Sequence, residues 1–148
     1  MHWLLFDPAF PNEEFTKLLR PIARALTGST FAVLGWEAAR EPGVRVNMAA
    51  GTLGAVRKVA PLPADDELIV RANGAAQAVG GALLTLGVLP RLAAVTLAAS
   101  LVPTTFAGHS FWNEPDPMVR KTQRVQFQKN MAMLGALAFA FLDAEPRD

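Results

Sequence analysis

The feature that most constrains this chain is a long apolar run, from Leu92 to Asn113, in which His109 is the only ionisable side chain. As a helix rising about 1.5 Å per residue, this run would extend about 33 Å, enough to cross a hydrocarbon core of about 30 Å. A second run, Ala72 to Pro90, has no ionisable residue, and Arg91 alone stands between the two. Together the two runs predict a membrane hairpin.

The composition favours a membrane protein over a soluble one. Charged residues make up 18% of the 148-residue chain, against about 25% in soluble domains, and the mean hydropathy is positive at +0.24. A soluble helical bundle is the alternative, but it would have to bury both charge-free runs within 15.9 kDa. A chain of this length normally forms one domain, so residues 1–148 are predicted to be a single membrane domain.

The side-chain inventory excludes several redox centres and partners. Because the chain has no cysteine, it can form no disulfide, zinc-thiolate site, iron-sulfur cluster or CxxC pair. Haem held by two histidines is not expected, since His2 lies far from His109 in the sequence, and a metal site of His109 with Glu114 and Asp116 is not favoured. A net charge of +1 without a basic stripe argues against nucleic acid. Any redox chemistry would therefore need a bound quinone or a partner subunit.

Turn and capping signals divide the chain into helices. Pro21 suits the first turn of a helix, and Met1 to Arg20 would precede it as an interfacial arm rather than a signal peptide. Asp65 and Asp116 are candidate N-caps. The expected fold is all-α, an integral membrane antiparallel four-helix bundle with a short interfacial amphipathic helix between spans 1 and 2. The four spans are predicted at about residues 20–39, 68–89, 91–112 and 127–142.

The segment from Val44 to Ala60 is too polar to cross a membrane. Apolar residues such as Met48 and Leu53 are interspersed with cations such as Arg45 and Arg57. This pattern is typical of a short amphipathic helix in the interface, where cations meet anionic headgroups. An ordinary loop helix explains the pattern equally well.

Stripes of small and polar side chains run along three of the predicted spans. Polar residues four apart share a helix face, and because a lone polar group is costly in hydrocarbon, the stripes of spans 2 and 3 are predicted to pair. Small residues in span 1 would let backbones approach closely and offer a route to a homo-oligomer. The alternatives are packing alone for the polar stripes and a generic alanine-rich helix for span 1. The stripes are Ala25, Gly28, Ala32, Gly35 and Ala39 in span 1, Asn73, Gln77, Gly81 and Thr85 in span 2, and Thr96, Ser100, Thr104 and Gly108 in span 3.

Several motifs occur in a fixed order along the chain. They are Gly35-x4-Arg40 with Pro42, Arg71-x-Asn73-x3-Gln77-x2-Gly80-Gly81, Gly87-x2-Pro90-Arg91-Leu-Ala-Ala, Pro103-Thr-Thr-x2-Gly108-His109-x-Phe111-Trp112, and Gln126-Phe127-x-Lys129-Asn130. Over about residues 20 to 142 this combination resembles the DoxX family, in its actinobacterial form. The resemblance implies a four-helix integral membrane protein. It also implies an association with quinone-linked thiosulfate oxidation and, in some members, with an oxidoreductase complex containing a sulfurtransferase and a superoxide dismutase.

An antiparallel four-helix bundle would bring most of the ionisable and amide side chains to one membrane face. When ionisable and amide groups cluster on one side in or near a membrane, the default hypothesis is that they form a functional site. A polar plug that anchors the helix ends is the alternative. We predict a hydrogen-bonded cluster that holds a cofactor at this face. Its predicted members are Asn73, Gln77, Thr105, His109, Lys129 and Asn130, with Trp112 at the rim and Arg71 and Glu37 nearby.

The leading functional hypothesis is a multi-pass protein of the plasma (inner) membrane that serves as a subunit of a membrane redox system. It would bind a quinone or dock a soluble redox partner, with no metal, haem or nucleic acid. Whether the chain is itself an enzyme is left open, and no catalytic residue is assigned. The rival hypothesis is a noncatalytic membrane scaffold or a small-molecule carrier, in which the polar cluster only fixes packing.

Basic residues predict an orientation. Most of the 14 Lys and Arg residues lie in the two long loops and the helix ends beside them. By the positive-inside rule, both long loops should be cytoplasmic and both termini external. The loop residues are Arg40, Arg45, Arg57, Lys58, Arg71, Arg120, Lys121, Arg124 and Lys129.

Overall fold

The computed structural model describes residues 13–144, and this part of the chain contains five α-helices, one short 3-10 turn and no strand. The predicted all-α class is therefore confirmed. Four of the helices overlap the predicted spans, and α2 coincides with the predicted short helix between spans 1 and 2. The helices are α1 (Glu13–Arg40), α2 (Val44–Val56), α3 (Asp66–Leu86), α4 (Pro90–Gly108) and α5 (Pro117–Asp143), with the 3-10 turn at Phe111–Asn113.

The helix ends follow the capping signals of the sequence. The Asp65 carboxylate accepts a hydrogen bond from the Leu68 backbone N–H at 3.0 Å and so caps α3. Asp116 caps α5 in the same way, accepting from Met118 N at 2.7 Å and Val119 N at 3.1 Å. Each side chain satisfies backbone donors that have no partner within the first helical turn. Both predicted N-caps are confirmed.

The start of α1 differs from the prediction. The helix begins at Glu13, so Pro21 lies inside it rather than in its first turn. Proline in a helix interior removes one backbone hydrogen bond, but Glu, Leu, Lys and Arg, all good helix formers, precede it and continue the helix. The predicted interfacial arm therefore overlaps α1 from residue 13 onward, and its residues 1–12 lie outside the described part of the chain.

Helices α1 and α3 pack backbone to backbone. A Cβ atom added to Gly81 would lie 2.4 Å from the Ala32 nitrogen, and one added to Gly28 would lie 2.5 Å from the Gly81 carbonyl oxygen. Two turns further along α1, a Cβ at Gly35 would lie 2.7 Å from the carbonyl oxygen of Gly74. The two helices are antiparallel, and the predicted close approach through the small-residue stripe of α1 is confirmed. Because this stripe is used within the chain, a homo-oligomer would need another surface.

The remaining packing is built on α4, which lies between α3 and α5. The buried core is a small group of apolar side chains from all four long helices, and Leu97 of α4 fits against Gly80 of α3. Large apolar residues instead cover the outside. Leu26 is 67% exposed, Leu86 74% and Phe139 74%. A small core beneath an apolar surface is the arrangement expected of helices surrounded by lipid.

Measured by length and mean hydropathy, one helical stretch within residues 13–144 qualifies as a membrane span, Pro90–Asn113, with a mean hydropathy of 1.3. This stretch contains the apolar run from Leu92 to Asn113. The other long helices carry charged or amide residues that lower their hydropathy, such as Arg24 in α1, Asn73 in α3 and Lys129 in α5.

Candidate functional site

A cavity of about 570 Å³ lies between α2 and the four long helices, at the end of the fold where α1 finishes and α3 begins. Helix α2 packs on α3 and α4 and forms one side of the cavity. Most of the wall is apolar, as is usual for a small-molecule site. Each helix contributes to that wall, with Phe31 from α1, Met48 and Leu53 from α2, Val70 from α3, Leu101 from α4 and Met133 from α5.

The first polar group joins two residues of the cavity wall through Ser100 of α4, which is 8% exposed. The Gln77 amide nitrogen donates to the Ser100 hydroxyl at 2.8 Å, and that hydroxyl donates to the Asn73 amide oxygen at 2.8 Å. Asn73 and Gln77 both line the cavity, and they make no other side-chain hydrogen bond to the described residues. One amide –NH₂ and one amide carbonyl therefore have hydrogen-bonding capacity left over. This holds even if both amides are flipped, because the hydroxyl still takes one donor and one acceptor.

The second polar group joins α4 to α5. The Asn130 amide nitrogen donates to the Thr105 hydroxyl at 2.9 Å, and that hydroxyl donates to the Leu101 backbone oxygen at 2.6 Å. Thr105 is fully buried, and Asn130 lines the cavity. The pair places an amide on the α5 side of the same space, so polar atoms reach the cavity from two sides.

The third polar group contains the only histidine in the described part of the chain. His109 Nδ1 lies 2.7 Å from the Gln123 side-chain oxygen, and the imidazole lines the cavity. With that oxygen as acceptor, Nδ1–H is the donor of this bond, and Nε2 makes no hydrogen bond to the described residues. Gln123 was not among the predicted site residues. It lies seven residues before Asn130, two helical turns away on the same face of α5, and that spacing could have identified it.

The predicted single cluster is therefore three separate groups, and Lys129 belongs to none of them. Its side chain is exposed, and it has no hydrogen bond or ion pair within residues 13–144. The reason is geometric, because successive helix residues point about 100° apart, so Lys129 faces outward when its neighbour Asn130 faces the cavity.

The other predicted neighbours have separate contacts. Arg71 donates to the Ala39 and Arg40 backbone oxygens at 2.6 and 2.8 Å and so caps the end of α1. Glu37 is exposed and lies 3.7 Å from Arg45. Trp112 is 50% exposed and forms an aromatic group outside the cavity, together with Phe106, Phe111 and Phe127.

The predicted pairing of the two polar stripes holds for only part of their length. Asn73 and Gln77 meet Ser100, but Gly81 packs on α1, and Thr85 lies against α1 at Gly28. Thr96 is exposed. Four residues advance a helix by about 400°, so a stripe spaced by four rotates about 40° per step and leaves the face on which it began.

Residues 13–144 contain no group of three His, Asp or Glu residues arranged to hold a metal ion. The comparison with family models gives one match, DoxX, over residues 19–110, which includes α3, α4 and most of α1. Neither a curated protein nor a solved structure matches the chain. The motif at 126–130, which contributed to the resemblance, lies beyond the matched residues.

Proposed function

The chain belongs to the DoxX family, a family of membrane proteins, and we propose that its cavity binds a quinone headgroup as part of a membrane redox system. The observation that carries the proposal is the set of uncommitted polar atoms at the cavity: the Asn73 –NH₂, the amide carbonyls of Gln77 and Asn130, and the imidazole Nε2 of His109. The rest of the wall is mostly apolar.

The proposed setting is a multi-pass protein of the plasma membrane in which α1, α3, α4 and α5 all cross the bilayer as an antiparallel bundle. These helices have 28, 21, 19 and 27 residues. At about 1.5 Å per residue, the shortest extends about 28 Å, close to the thickness of a hydrocarbon core. Their charged residues lie mainly towards the helix ends, where long side chains can reach the interface.

Reporter fusions at positions 43, 90, 115 and 148 test this topology. Positions 43 and 115 should report from one side of the membrane, and positions 90 and 148 from the other. The positive-inside rule favours the cytoplasm for 43 and 115. Opposite sides for 43 and 115 would exclude the four-span arrangement.

The residues present fit a quinone. A quinone ring is flat and apolar, with carbonyl oxygens that accept hydrogen bonds, and its reduced form has hydroxyls that donate them. The Asn73 –NH₂ can donate to an oxygen of the oxidised form, and the Gln77 carbonyl can accept from a hydroxyl of the reduced form. Bound there, a quinone would supply reversible transfer of two electrons and two protons.

The protein's own contribution would be orientation, exclusion of water and handling of a proton. Ser100 fixes the Asn73 and Gln77 amides relative to each other, because it bonds to both. Gln123 fixes the His109 ring through Nδ1, which leaves Nε2 able to accept a proton. Met48 and Leu53 of α2 would shield the cavity from the aqueous side.

We also propose that a soluble redox partner docks at the end of the fold where α1 finishes and α3 and α5 begin. Exposed cations lie on the elements at this end, on α2, on the segment that follows it and on the start of α5. A partner with an acidic surface would complement them. The cations are Arg45, Lys58, Arg120, Lys121 and Arg124.

The test of the site is quinone affinity in purified protein. The reduced forms (quinols) of a short-tailed naphthoquinone and a short-tailed benzoquinone would be titrated anaerobically into the detergent-solubilised chain, with tryptophan fluorescence as the readout. Replacing Gln77 by Leu removes the free carbonyl while keeping a similar volume, and we expect about tenfold weaker binding, the effect of losing one to two hydrogen bonds. Gln128→Leu, on the exposed face of α5, is the matched control and should bind normally.

The rival function is a noncatalytic scaffold or carrier, which the hydrogen bonds joining α3, α4 and α5 favour. In that case Gln77→Leu would lower the melting temperature and leave quinone binding absent or unchanged. If the wild-type protein binds neither compound, the quinone proposal is wrong, and the family assignment is unaffected.

A further inference from the structure

A second cleft lies at the opposite end of the fold, between the first half of α1 and the last turns of α5. Its volume is about 710 Å³, and helices α1 and α5 touch only lightly beside it. Arg20, Arg24 and Asp143 line it together with apolar side chains. The cleft shares no lining residue with the cavity beside α2.

The charges on this cleft are unbalanced. Arg20 Nε lies 2.9 Å from the Asp143 carboxylate, so the negative charge of this aspartate is balanced by Arg20. Arg24 is a second guanidinium, and its Nε is buried without a hydrogen-bond partner among the described residues. Its guanidinium carbon is 3.7 Å from the point where a Cβ of Gly87 would lie, so it is level with the turn between α3 and α4. Among the residues that the structure describes, the lining therefore has a surplus of one positive charge and a buried Arg24 N–H that needs an acceptor.

The rest of the cleft is apolar and faces outward. Leu19 on α1, and Phe139 and Leu142 on α5, line it and are exposed. In a bilayer these side chains would contact acyl chains. Arg24 is level with the α3–α4 turn and Arg20 with the end of α5, so both guanidinium groups would lie at headgroup depth. Arg91 at the start of α4 packs over Phe141 at this end and adds another cation.

We propose that this cleft binds one anionic phospholipid, with its phosphate on Arg24 and Arg20 and an acyl chain between α1 and α5. A phosphodiester carries a single negative charge, which matches the surplus, and its oxygens accept hydrogen bonds from guanidinium N–H groups. A zwitterionic lipid would bring its own cation and lose this advantage. The proposal is independent of the quinone site.

The experiment measures which lipid the purified full chain retains. Protein would be reconstituted in mixed phosphatidylglycerol and phosphatidylcholine, and retained lipid would be counted by native mass spectrometry. Wild-type protein should prefer phosphatidylglycerol about fivefold, the contribution of one basic residue at a membrane surface. Arg24→Gln should abolish most of that preference. Arg124→Gln, an exposed arginine at the start of α5, removes the same charge elsewhere and should change it less than twofold.

A second variant should change the lipid preference in the opposite direction. It keeps the test valid even if Arg24→Gln does not fold. Asp143→Asn removes the carboxylate that competes for Arg20, so it should raise the preference for phosphatidylglycerol. Equal retention of both lipids by wild-type protein would overturn the proposal, as would a fall with Asp143→Asn. Displacement of the lipid by excess inorganic phosphate would overturn the lipid and leave a small-anion site instead.

Discussion

Helix α3 has two faces that stabilise the fold in different ways, one through backbone contact and the other through side-chain hydrogen bonds. Towards α1 it presents Gly74 and Gly81, and the two backbones touch without a side chain between them. Towards α4 it presents Asn73 and Gln77, which reach Ser100 through hydrogen bonds, with a cavity beside them. One face leaves no room for an added atom, and the other leaves room for a ligand.

The difference follows from packing in lipid, where burial of apolar surface gives helices little reason to associate. Close contact of small residues gains dispersion energy only if the surfaces fit, so the α1–α3 face should tolerate almost no change. Hydrogen bonds between helices contribute separately and modestly, so the α3–α4–α5 side should lose stability in small steps. The proposed functional groups lie on the side that can tolerate change.

The largest expected effect is from filling the α1–α3 contact. Gly81→Ala would place a methyl group 2.4 Å from the Ala32 nitrogen and 2.5 Å from the Gly28 carbonyl oxygen. Because both neighbours are backbone atoms, the helices must separate, and we expect a loss of about 3 kcal/mol or more in the free energy of unfolding. Denaturation in mixed detergent micelles measures it.

The matched control is Gly135→Ala on α5, where an added Cβ would meet nothing within 4 Å. There the substitution should stabilise the helix by about 0.5–1 kcal/mol, the usual advantage of alanine over glycine. Equal effects at positions 81 and 135 would remove the proposed contrast between the two faces of α3.

The α1–α3 face could be predicted because it depends on residue size alone. The repeat of Ala25, Gly28, Ala32 and Gly35 identifies a face on which backbones can touch, whichever helix is the partner. The partner of a polar residue depends on small rotations of two helices. Ser100 was placed on the correct stripe. Thr96, however, was predicted to face inward but is exposed, and the role of Gln123 was missed, because these depend on such rotations.

The second effect in size is expected at Ser100, which serves both amides of α3. Ser100→Ala removes two hydrogen bonds and leaves the Asn73 oxygen and the Gln77 nitrogen without their partner. At an average of about 0.6 kcal/mol for each interhelical hydrogen bond in a membrane, the loss of both bonds should cost about 1–2 kcal/mol. Ser29→Ala is the control, because Ser29 is exposed and bonds only to Leu26 of its own helix, and it should change stability by less than about 0.5 kcal/mol. A loss at Ser100 as large as that at Gly81 would contradict the graded behaviour expected of this side.

A smaller effect is expected where α4 meets α5. Thr105→Val keeps the shape of the side chain but removes the hydroxyl that accepts from Asn130, and we expect a loss of about 1 kcal/mol. A double-mutant cycle with Asn130→Leu should give a coupling energy of about 0.6 to 1.7 kcal/mol. The same cycle with Gln128→Leu, which faces outward, should give none. Strict additivity of the Thr105 and Asn130 changes would show that the bond does not contribute to stability.

The prediction of Lys129 in the polar cluster was wrong for a reason that the α5 sequence contains. Asn130 and Gln123 are seven residues apart and share the face turned towards α4, so Lys129 must lie off that face. The error came from treating sequence neighbours at one membrane depth as spatial neighbours. Depth follows from position along a helix, but facing direction requires the helix period.

The smallest effect is expected where α2 joins α1 beside the cavity. Arg45 on α2 lies 3.7 Å from Glu37 on α1, and both side chains are about half exposed, so solvent screens the pair. Glu37→Gln should change the free energy of unfolding by less than about 0.5 kcal/mol. The contrast is Asp66→Asn, which breaks a less exposed pair with Arg57 at the other end of the α2 segment and should cost about 1 kcal/mol. If both losses have these sizes, α2 is held firmly at its end near α3 and loosely at its start, beside Met48 and the cavity. A loss at Glu37 equal to that at Asp66 would instead mean that α2 is fixed at both ends, and the cavity would then be a closed part of the fold.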